Sequence, residues 1–168
     1  MLFTSRLAVA SILIIAACSR APARPASQTA TPAPFQPSPV ISWLDCVECT
    51  DAELRAVAVL GDRVVPDLRE VLLRGPSKER LDRETSYLQQ QYARLKEYER
   101  LHPDRAVARS REDYVQFYLQ NYILLNRSRA ARALGAIKTS SSRAALEEAL
   151  TQHLPPELQR EVTRALSQ

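Results

Sequence analysis

The 168-residue sequence has little glycine, with three residues, and it contains only one methionine, one tryptophan and two histidines. No stretch alternates between apolar and polar residues for long enough to indicate a strand. The glycines, Gly61, Gly75 and Gly135, each follow a helix-like segment, where a left-handed cap is expected. His102 and His153 are far apart in sequence and lie beside predicted helix ends, which argues against a zinc site. These features predict an all-α protein.

Charge of one sign is not in strong excess. The net charge is +4, from 23 basic and 19 acidic residues, and the two signs are interspersed along the chain. Such a mild balance does not indicate a nucleic-acid partner. No catalytic or ligand-binding arrangement of side chains stands out. We therefore expect a protein that is not an enzyme and carries no cofactor or metal.

The only long apolar run lies at the N-terminus. Arg6 precedes apolar residues 7–15, a run too short for the roughly 20 residues that span a bilayer and typical of a secretory signal. It ends in Ile-Ala-Ala followed by Cys18, which resembles the lipobox of bacterial lipoproteins. The resemblance implies that residues 1–17 are removed and that Cys18 receives a diacylglycerol and further acyl chains such as palmitate. The alternative is an ordinary signal peptide cleaved elsewhere.

A lipidated Cys18 would hold the protein on a membrane. One acyl chain binds only marginally, at about 0.8 kcal/mol per buried CH₂, so two or three chains on one cysteine anchor durably. Ser19 follows the cysteine. In enterobacterial lipoproteins an aspartate at this position is the usual inner-membrane retention signal. The resemblance therefore implies a location in the cell envelope, at the outer membrane facing the periplasm.

Residues 18–39 predict a disordered tether. Phe35 is their only large apolar side chain, so they cannot bury a core. They contain the prolines Pro22, Pro25, Pro32, Pro34, Pro37 and Pro39. This density favours extended polyproline II at roughly 3.1 Å per residue, a reach of up to about 65 Å. The tether is a spacer in this interpretation, and a recognition segment for a partner is the alternative.

Residues 40–168 form the predicted helical domain. Thr50 with Glu53, and Ser110 with Asp113, fit helix N-terminal caps. Periodic apolar residues then predict helices over residues 51–60, 63–74, 77–101, 110–137, 140–150 and 154–166. Residues 40–44 open the domain, with no helix predicted there.

Two segments resemble HEAT-type helical hairpins. One combines Ala-Ala-Arg-Ala-Leu-Gly at residues 130–135 with Ala-Ala-Leu-Glu-Glu-Ala-Leu at 144–150, and the other combines residues 57–61 with 65–72. Residues 162–166 resemble the first helix of a third. The resemblance implies stacked helices and a protein-binding surface. The tyrosine-rich middle of the domain fits no repeat. An irregular HEAT-like stack and a compact helical bundle both remain open, as does whether the middle helices dock or project.

Cys46 and Cys49 are the only chemically suggestive pair. If Cys18 is lipidated, two cysteines remain in an oxidising compartment, which predicts a local disulfide ahead of the first predicted helix. The alternative is a periplasmic thiol–disulfide protein. That activity requires a thiolate at a helix N-terminus, which Cys49 precedes, but the βαβ context it also expects is missing.

Six tyrosines crowd the two long middle helices, and basic residues follow them. Tyrosine and arginine are favoured in interface hot spots. The sequence therefore predicts a possible partner surface at Tyr114, Tyr118, Tyr122, Arg127 and Arg129. The alternatives are packing of the tyrosines along the helix seam, with hydroxyls at its rim, and a solvated basic face. Together these features predict a lipid-anchored scaffold or assembly factor that binds another protein, which the sequence does not name.

Overall fold

The computed structural model describes residues 38–106 and 108–168. The predicted signal peptide, Cys18 and all but the last two tether residues lie outside the described residues. Within them, no residue lies in a strand, which confirms the all-α prediction. The α-helices of the described part are α1 Pro39–Asp45, α2 Asp51–Ala58, α3 Val65–Arg74, α4 Lys78–Leu101, α5 Arg111–Ile137, α6 Ser140–Leu150 and α7 Pro156–Leu166. Two 3-10 turns span Gly61–Val64 and Pro103–Arg105.

The helix boundaries follow local capping chemistry. Thr50 and Glu53 form the predicted capping box at the start of α2, in which each side chain bonds the backbone of the other residue. At the start of α5, the Ser110 hydroxyl accepts a hydrogen bond from the Asp113 amide at 3.0 Å. Gly75, with φ of 87°, ends α3 in a conformation that suits glycine. These residues place the helices close to their predicted positions.

Helix α1 was not predicted. Ser38 caps its N-terminus, Pro39 occupies the first turn, and Val40, Trp43 and Leu44 are buried. Their spacing places all three on one face, as in any amphipathic helix. Seven residues make only two turns of helix. The helical spacing of apolar residues is too short there to be recognised directly after a proline-rich segment.

Gly135 does not cap a helix, contrary to the prediction. It lies inside α5, which ends at Ile137, and Lys138 takes the left-handed conformation there with φ of 59°. A Cβ placed on Gly135 would lie 2.9 Å from both the Cβ and the carbonyl oxygen of Ala165. The missing side chain therefore allows α7 to pack directly on the backbone of α5.

The core is built from stacked helical hairpins. Helices α2 and α3 form one hairpin, and α6 with the C-terminal part of α5 forms the next. Helix α5 packs most extensively against α3 and α7 and also against α2, while α6 packs against α3, α5 and α7. The first helices α2, α5 and α7 are thus in contact in succession and so are the second helices α3 and α6, as in repeat proteins, and α3 also packs across the layers onto α5. Helix α1 covers α2 and α5, adding Trp43 and Leu44 to the core.

A helical hairpin is inserted between these two core hairpins. Helix α4 packs mainly against α5, and only Arg80, Leu88 and Glu99 of its 24 residues are buried. All the buried residues of α5 lie at or beyond Asn126. We call α4 and residues 111–125 of α5 the arm. The arm projects from the core, which answers the question that the sequence left open.

No helix in residues 38–106 and 108–168 combines the length and the apolar composition needed to cross a bilayer.

Candidate interaction surface

A polar network holds the base of the arm to the core. Asp45, at the end of α1, accepts hydrogen bonds from the Arg80 guanidinium and, at 2.9 Å, from the Tyr122 hydroxyl. The same Arg80 nitrogen, Nη2, donates to Oδ1 of the fully buried Asn126 at 2.6 Å. Asn126 in turn donates to the Tyr122 carbonyl at 3.0 Å. Hydrogen bonds that involve charged groups are the strong ones, so the network fixes where the arm leaves the core.

Tyr122 belongs to this network. Burial raises the pKa of Tyr122 above its ordinary value, and its hydroxyl is engaged with Asp45. The Arg80 guanidinium also lies 5.9 Å from the centre of its ring. Among the residues predicted for a partner surface, Tyr122 is therefore placed at the seam between the arm and the core.

Arg127 and Arg129 point into the fold and not toward a partner. Arg127 donates from Nε to the Leu72 carbonyl at 2.8 Å, near the end of α3. Arg129 donates from Nη1 to the Leu44 carbonyl at 2.8 Å, near the end of α1. Cations are favourable at helix C-termini, whose last carbonyls lack partners within the helix.

Their burial follows from these contacts. Arg129 is only 8% exposed, and its own carbonyl accepts a hydrogen bond from the Trp43 indole at 2.9 Å. Burial lowers the pKa of both guanidinium groups below the ordinary arginine value. Arg129 is thus removed from the predicted partner surface, and the guanidinium of Arg127 is occupied by α3.

The remaining two predicted residues, Tyr114 and Tyr118, belong to an aromatic cluster further along the arm. The ring centres of Tyr92 and Tyr114 are 5.4 Å apart, and those of Tyr114 and Tyr118 are 4.6 Å apart. Phe117 meets Tyr118 edge-on at 5.2 Å. We call these four residues the aromatic ladder. Phe117 and Tyr118 are 49% and 41% exposed, whereas Tyr114 is half-buried and burial raises its pKa.

The ladder borders a cleft of about 230 Å³, which we call the arm cleft. It is lined by Tyr92, Leu95, Arg109, Tyr114 and Tyr118. The Arg109 guanidinium lies 5.0 Å from the centre of the Phe117 ring, and the Arg109 carbonyl accepts a hydrogen bond from the Tyr92 hydroxyl at 2.9 Å. The cleft therefore combines aromatic walls with a cation, the chemistry common at protein interfaces.

The five residues predicted for a partner surface did not include Phe117, Tyr92 or Arg109. Phe117 could have been found, because it lies three residues after Tyr114 and thus on the same side of α5. Tyr92 and Arg109 depend on the register of α4 against α5 and on the path of the connecting segment. No local pattern in the sequence shows either.

Cys46 and Cys49 form a disulfide, with Cα atoms 5.3 Å apart. The pair joins the end of α1 to the start of α2, and both residues pack against the core. The predicted pairing is confirmed. The described residues contain no strand, so the βαβ context of a thioredoxin-like site is absent from them.

The two histidines do not come together in a site. The ring of His102 lies 4.4 Å from that of Tyr98 at the end of α4, while His153 is in the segment before α7. Within the part of the chain that the structure describes, no three His, Cys, Asp or Glu side chains are grouped so that they could hold a metal ion.

Comparison with known proteins supports the repeat-like core. The profile of the PBS lyase HEAT-like repeat family matches residues 127–152, which cover α6 and the C-terminal part of α5. The match falls on one of the two hairpins that resemble HEAT repeats in sequence, that of residues 130–135 and 144–150, and the helical domain is HEAT-repeat-like. No curated protein matches the chain, and no solved structure does.

Proposed function

We propose that this protein is a non-enzymatic interaction protein of the bacterial cell envelope, anchored by lipid at Cys18, which binds a partner protein through its arm. The observation that carries the proposal is the aromatic ladder, left half-exposed on an element that projects from the core. Phe117 and Tyr118 contribute little to the core, because the buried residues of α5 begin at Asn126.

The structure around the ladder suits a binding surface. Aromatic side chains provide large contact areas at a low cost in conformational entropy. The ladder stands on helices rather than on a loop, and the Asp45, Arg80 and Asn126 network holds those helices at their base. A preorganised surface loses less entropy on binding than a mobile one, so this arrangement favours a specific partner.

The HEAT-repeat-like core also supports a scaffold role. Stacked helical hairpins present extended surfaces that repeat proteins use for binding other proteins. The match covers one hairpin, and it indicates an interaction protein in general without identifying a partner.

Crosslinking in native membranes tests the partner proposal. We expect a discrete crosslinked protein that is lost when Phe117→Ser and Tyr118→Ser are combined. The matched control is Val59→Ser, which alters an exposed apolar residue on the core. Capture of nothing, or equal capture by the ladder variant and the wild-type protein, would exclude the arm as the binding surface.

Membrane anchoring requires a separate experiment. We expect the chain to incorporate an alkyne-labelled fatty acid and to sediment with the outer-membrane fraction. Cys18→Ser should remove the label and release the protein into the periplasmic fraction. Label that persists in this variant would place the acyl chains elsewhere.

A second candidate function is thiol–disulfide exchange by Cys46 and Cys49. The observation in its favour is the position of Cys49, directly before the Thr50 cap of α2, because a helix N-terminus stabilises a thiolate. The Cys46→Ser, Cys49→Ser double variant separates the two functions. Loss of partner capture without loss of folding would support exchange chemistry, and full retention would exclude it.

A further inference from the structure

Helix α5 carries two lengthwise stripes of side chains along the arm. The less exposed stripe follows the side that packs on α4, and its members are Val115, Leu119, Tyr122 and the buried Asn126. The second stripe lies one residue earlier at each position, about 100° around the helix, and its members are Tyr114, Tyr118, Asn121 and Leu125. We call it the outer stripe. Both stripes have the alternating spacing of four and three residues at which bundled helices meet a neighbour.

The outer stripe is left open to solvent along most of its length. Tyr118 and Leu125 are 41% and 46% exposed, and Asn121 is exposed as well. A pair of helices needs only one seam, whereas each helix of a four-helix bundle contacts neighbours on two adjacent sides. With a second seam on α5, the arm has the pattern of one half of such a bundle, which a second helical hairpin would complete.

The surface around the outer stripe is uncharged. Residues 114–126 of α5 contain no acidic or basic side chain, and neither do residues 85–93 of α4, whose Tyr92 lies beside Tyr114. The polar groups here are amides and hydroxyls, which both donate and accept hydrogen bonds. Such a surface is complementary to a copy of itself, because a twofold axis brings each residue type near its own kind. Lysines or carboxylates in its place would repel one another.

The charges at the two ends of the stripe favour one direction of pairing. Glu112 and Asp113 precede it, and Arg127, whose guanidinium bonds only the neutral carbonyls of α3, follows it. If two copies of α5 run antiparallel about the middle of the stripe, Glu112 of one copy comes level with Arg127 of the other. Tyr118 then comes level with Asn121 of the second copy. Parallel pairing would place like charges together instead.

The size of the contact indicates its strength. Residues 114–126 form about 20 Å of helix about 10 Å wide, so the footprint of α5 alone is on the order of 200 Å². A stable interface buries roughly 800 Å² per partner. Antiparallel pairing also lays the tip of each arm, with the exposed Tyr98 and Leu101, beside the core of the other copy. The contact is thereby extended, but the dimer is expected to be weak and reversible.

We propose that the partner of the arm is a second copy of this chain, and that two arms pair antiparallel through their outer stripes into a four-helix bundle with one core at each end. This inference rests on the function proposed above for the arm and names its partner. Phe117 and Tyr118 then lie at the seam between the two copies.

Sedimentation equilibrium of the purified full chain, in a density-matched detergent and with no other protein present, tests the pairing. We expect a monomer–dimer equilibrium with a Kd on the order of 10–100 µM, because the footprint is small. Asn121 lies close to the twofold axis, so Asn121→Lys brings two cations together and should weaken the dimer at least tenfold. Asn121→Glu should do the same with two anions. An equimolar mixture of the two variants places opposite charges together and should restore association to within about threefold of the wild-type chain.

The matched controls are Gln120→Lys and Gln120→Glu, which place the same charges on an exposed neighbour outside the stripe. They should associate like the wild-type chain, and circular dichroism should show all four variants folded, since both positions are exposed. A wild-type chain that stays monomeric throughout this range would overturn the proposal. Undiminished association of the Asn121 variants would overturn it too, as would equal losses in the Gln120 variants or a mixture that does not recover.

The failure of this proposal is distinguishable from that of the arm as a binding surface. A chain that is monomeric alone, but still gives a ladder-dependent crosslinked product in native membranes, would have a different protein as its partner. The second-copy proposal would then be wrong and the proposed function would stand. Dimerisation of the purified chain that is lost in the Asn121 variants and regained on mixing supports both.

Discussion

Individual arginines on α5 have roles that depend on which helix ends lie beside them. Arg127 and Arg129 are two residues apart, yet the first bonds carbonyls at the end of α3 and the second bonds one at the end of α1. Arg143 on α6 makes an exposed ion pair with Glu147 and has no such structural neighbour. The same residue type is therefore structural in one place and dispensable in another.

We expect Arg129→Met to lower the free energy of unfolding by about 2 kcal/mol, because it leaves the Leu44 carbonyl without its donor while keeping most of the apolar volume. Urea denaturation followed by circular dichroism measures the change. Arg143→Met is the control and should cost less than about 0.5 kcal/mol, as exposed helix pairs do. Equal effects of the two substitutions would contradict a stabilising hydrogen bond from Arg129 to the Leu44 carbonyl.

For Gly135→Ala we expect a change in stability opposite in sign to the one that helix propensity alone predicts. Alanine is favoured over glycine inside a helix by about 1 kcal/mol. Gly135→Ala should nevertheless destabilise the protein by about 1–3 kcal/mol, because its Cβ would meet the backbone of Ala165 at 2.9 Å. Thermal or urea unfolding measures this. Ala165→Gly in the same chain should recover part of the loss, and a more stable Gly135→Ala protein would show that α7 is not held this closely.

At the level of helices, an aspartate joins two of the core hairpins. Asp62, in the turn after α2, accepts hydrogen bonds from the Thr139 hydroxyl at 2.5 Å and the Ser141 hydroxyl at 2.7 Å, at the start of α6. These two bonds, that of Thr139 first, lower the pKa of Asp62 below its ordinary value of 3.8. They help to fix one hairpin on the next.

The sign of the resulting pH dependence follows from linkage. The folded state prefers ionised Asp62, so its contribution to stability is present above the ordinary aspartate range and is lost as the pH falls through the lowered pKa. NMR titration should show Ser141→Ala raising the pKa of Asp62 toward 3.8. Ser140→Ala, which alters a neighbouring hydroxyl with no bond to Asp62, should leave it unchanged. An Asp62 pKa that is the same in both variants would contradict the contact.

The sequence predicted most helices well, because their ends depend on residues within one turn. Thr50 and Ser110 cap helix starts and Gly75 ends a helix, each through residues within one turn. Proline in the first turn likewise marks where α3 and α7 begin. Helix α1 was missed because seven residues carry too little periodicity. Gly135 was misjudged because its role depends on Ala165, thirty residues away, and sequence patterns show no such contact.

The candidate surface was only half predictable for a similar reason. Tyr114 and Tyr118 were identified from composition and spacing, whereas the burial of Arg129 depends on α1, a helix that was not predicted. Whether a tyrosine lies at the seam or on the surface is decided by the register of α4 on α5. That register places Arg80 beside Asn126 and Tyr92 beside Tyr114. It is determined by the packing of α4 on α5 along their whole contact, and no short stretch of sequence encodes it.

Across the whole molecule, buried apolar residues are unevenly distributed. The core cluster draws on α1, α2, α3, α6, α7 and the C-terminal part of α5, but α4 adds only Leu88 to the buried apolar residues. Local stability follows burial, so the arm is expected to open at a lower free energy than the core.

Hydrogen exchange measures this difference. Amides of α4 and of residues 111–121 should exchange faster than those of α3 and of residues 126–137. Leu88→Ala should accelerate exchange in the arm with little effect on the core, whereas Leu68→Ala, in the fully buried core, should lower global stability by about 2–5 kcal/mol. Uniform acceleration by Leu88→Ala would show that arm and core unfold as one unit.

Helix α5 runs without interruption from the arm into the core, as one element of 27 residues, about 40 Å long. Its inner end packs against α2, α3, α6 and α7, and its outer end carries three of the four residues of the aromatic ladder. No loop separates the two ends, so a force applied at the ladder is not absorbed by a joint. It acts as a torque on the hairpin stack, and α5 is in mechanical terms a lever whose short end is clamped in the core.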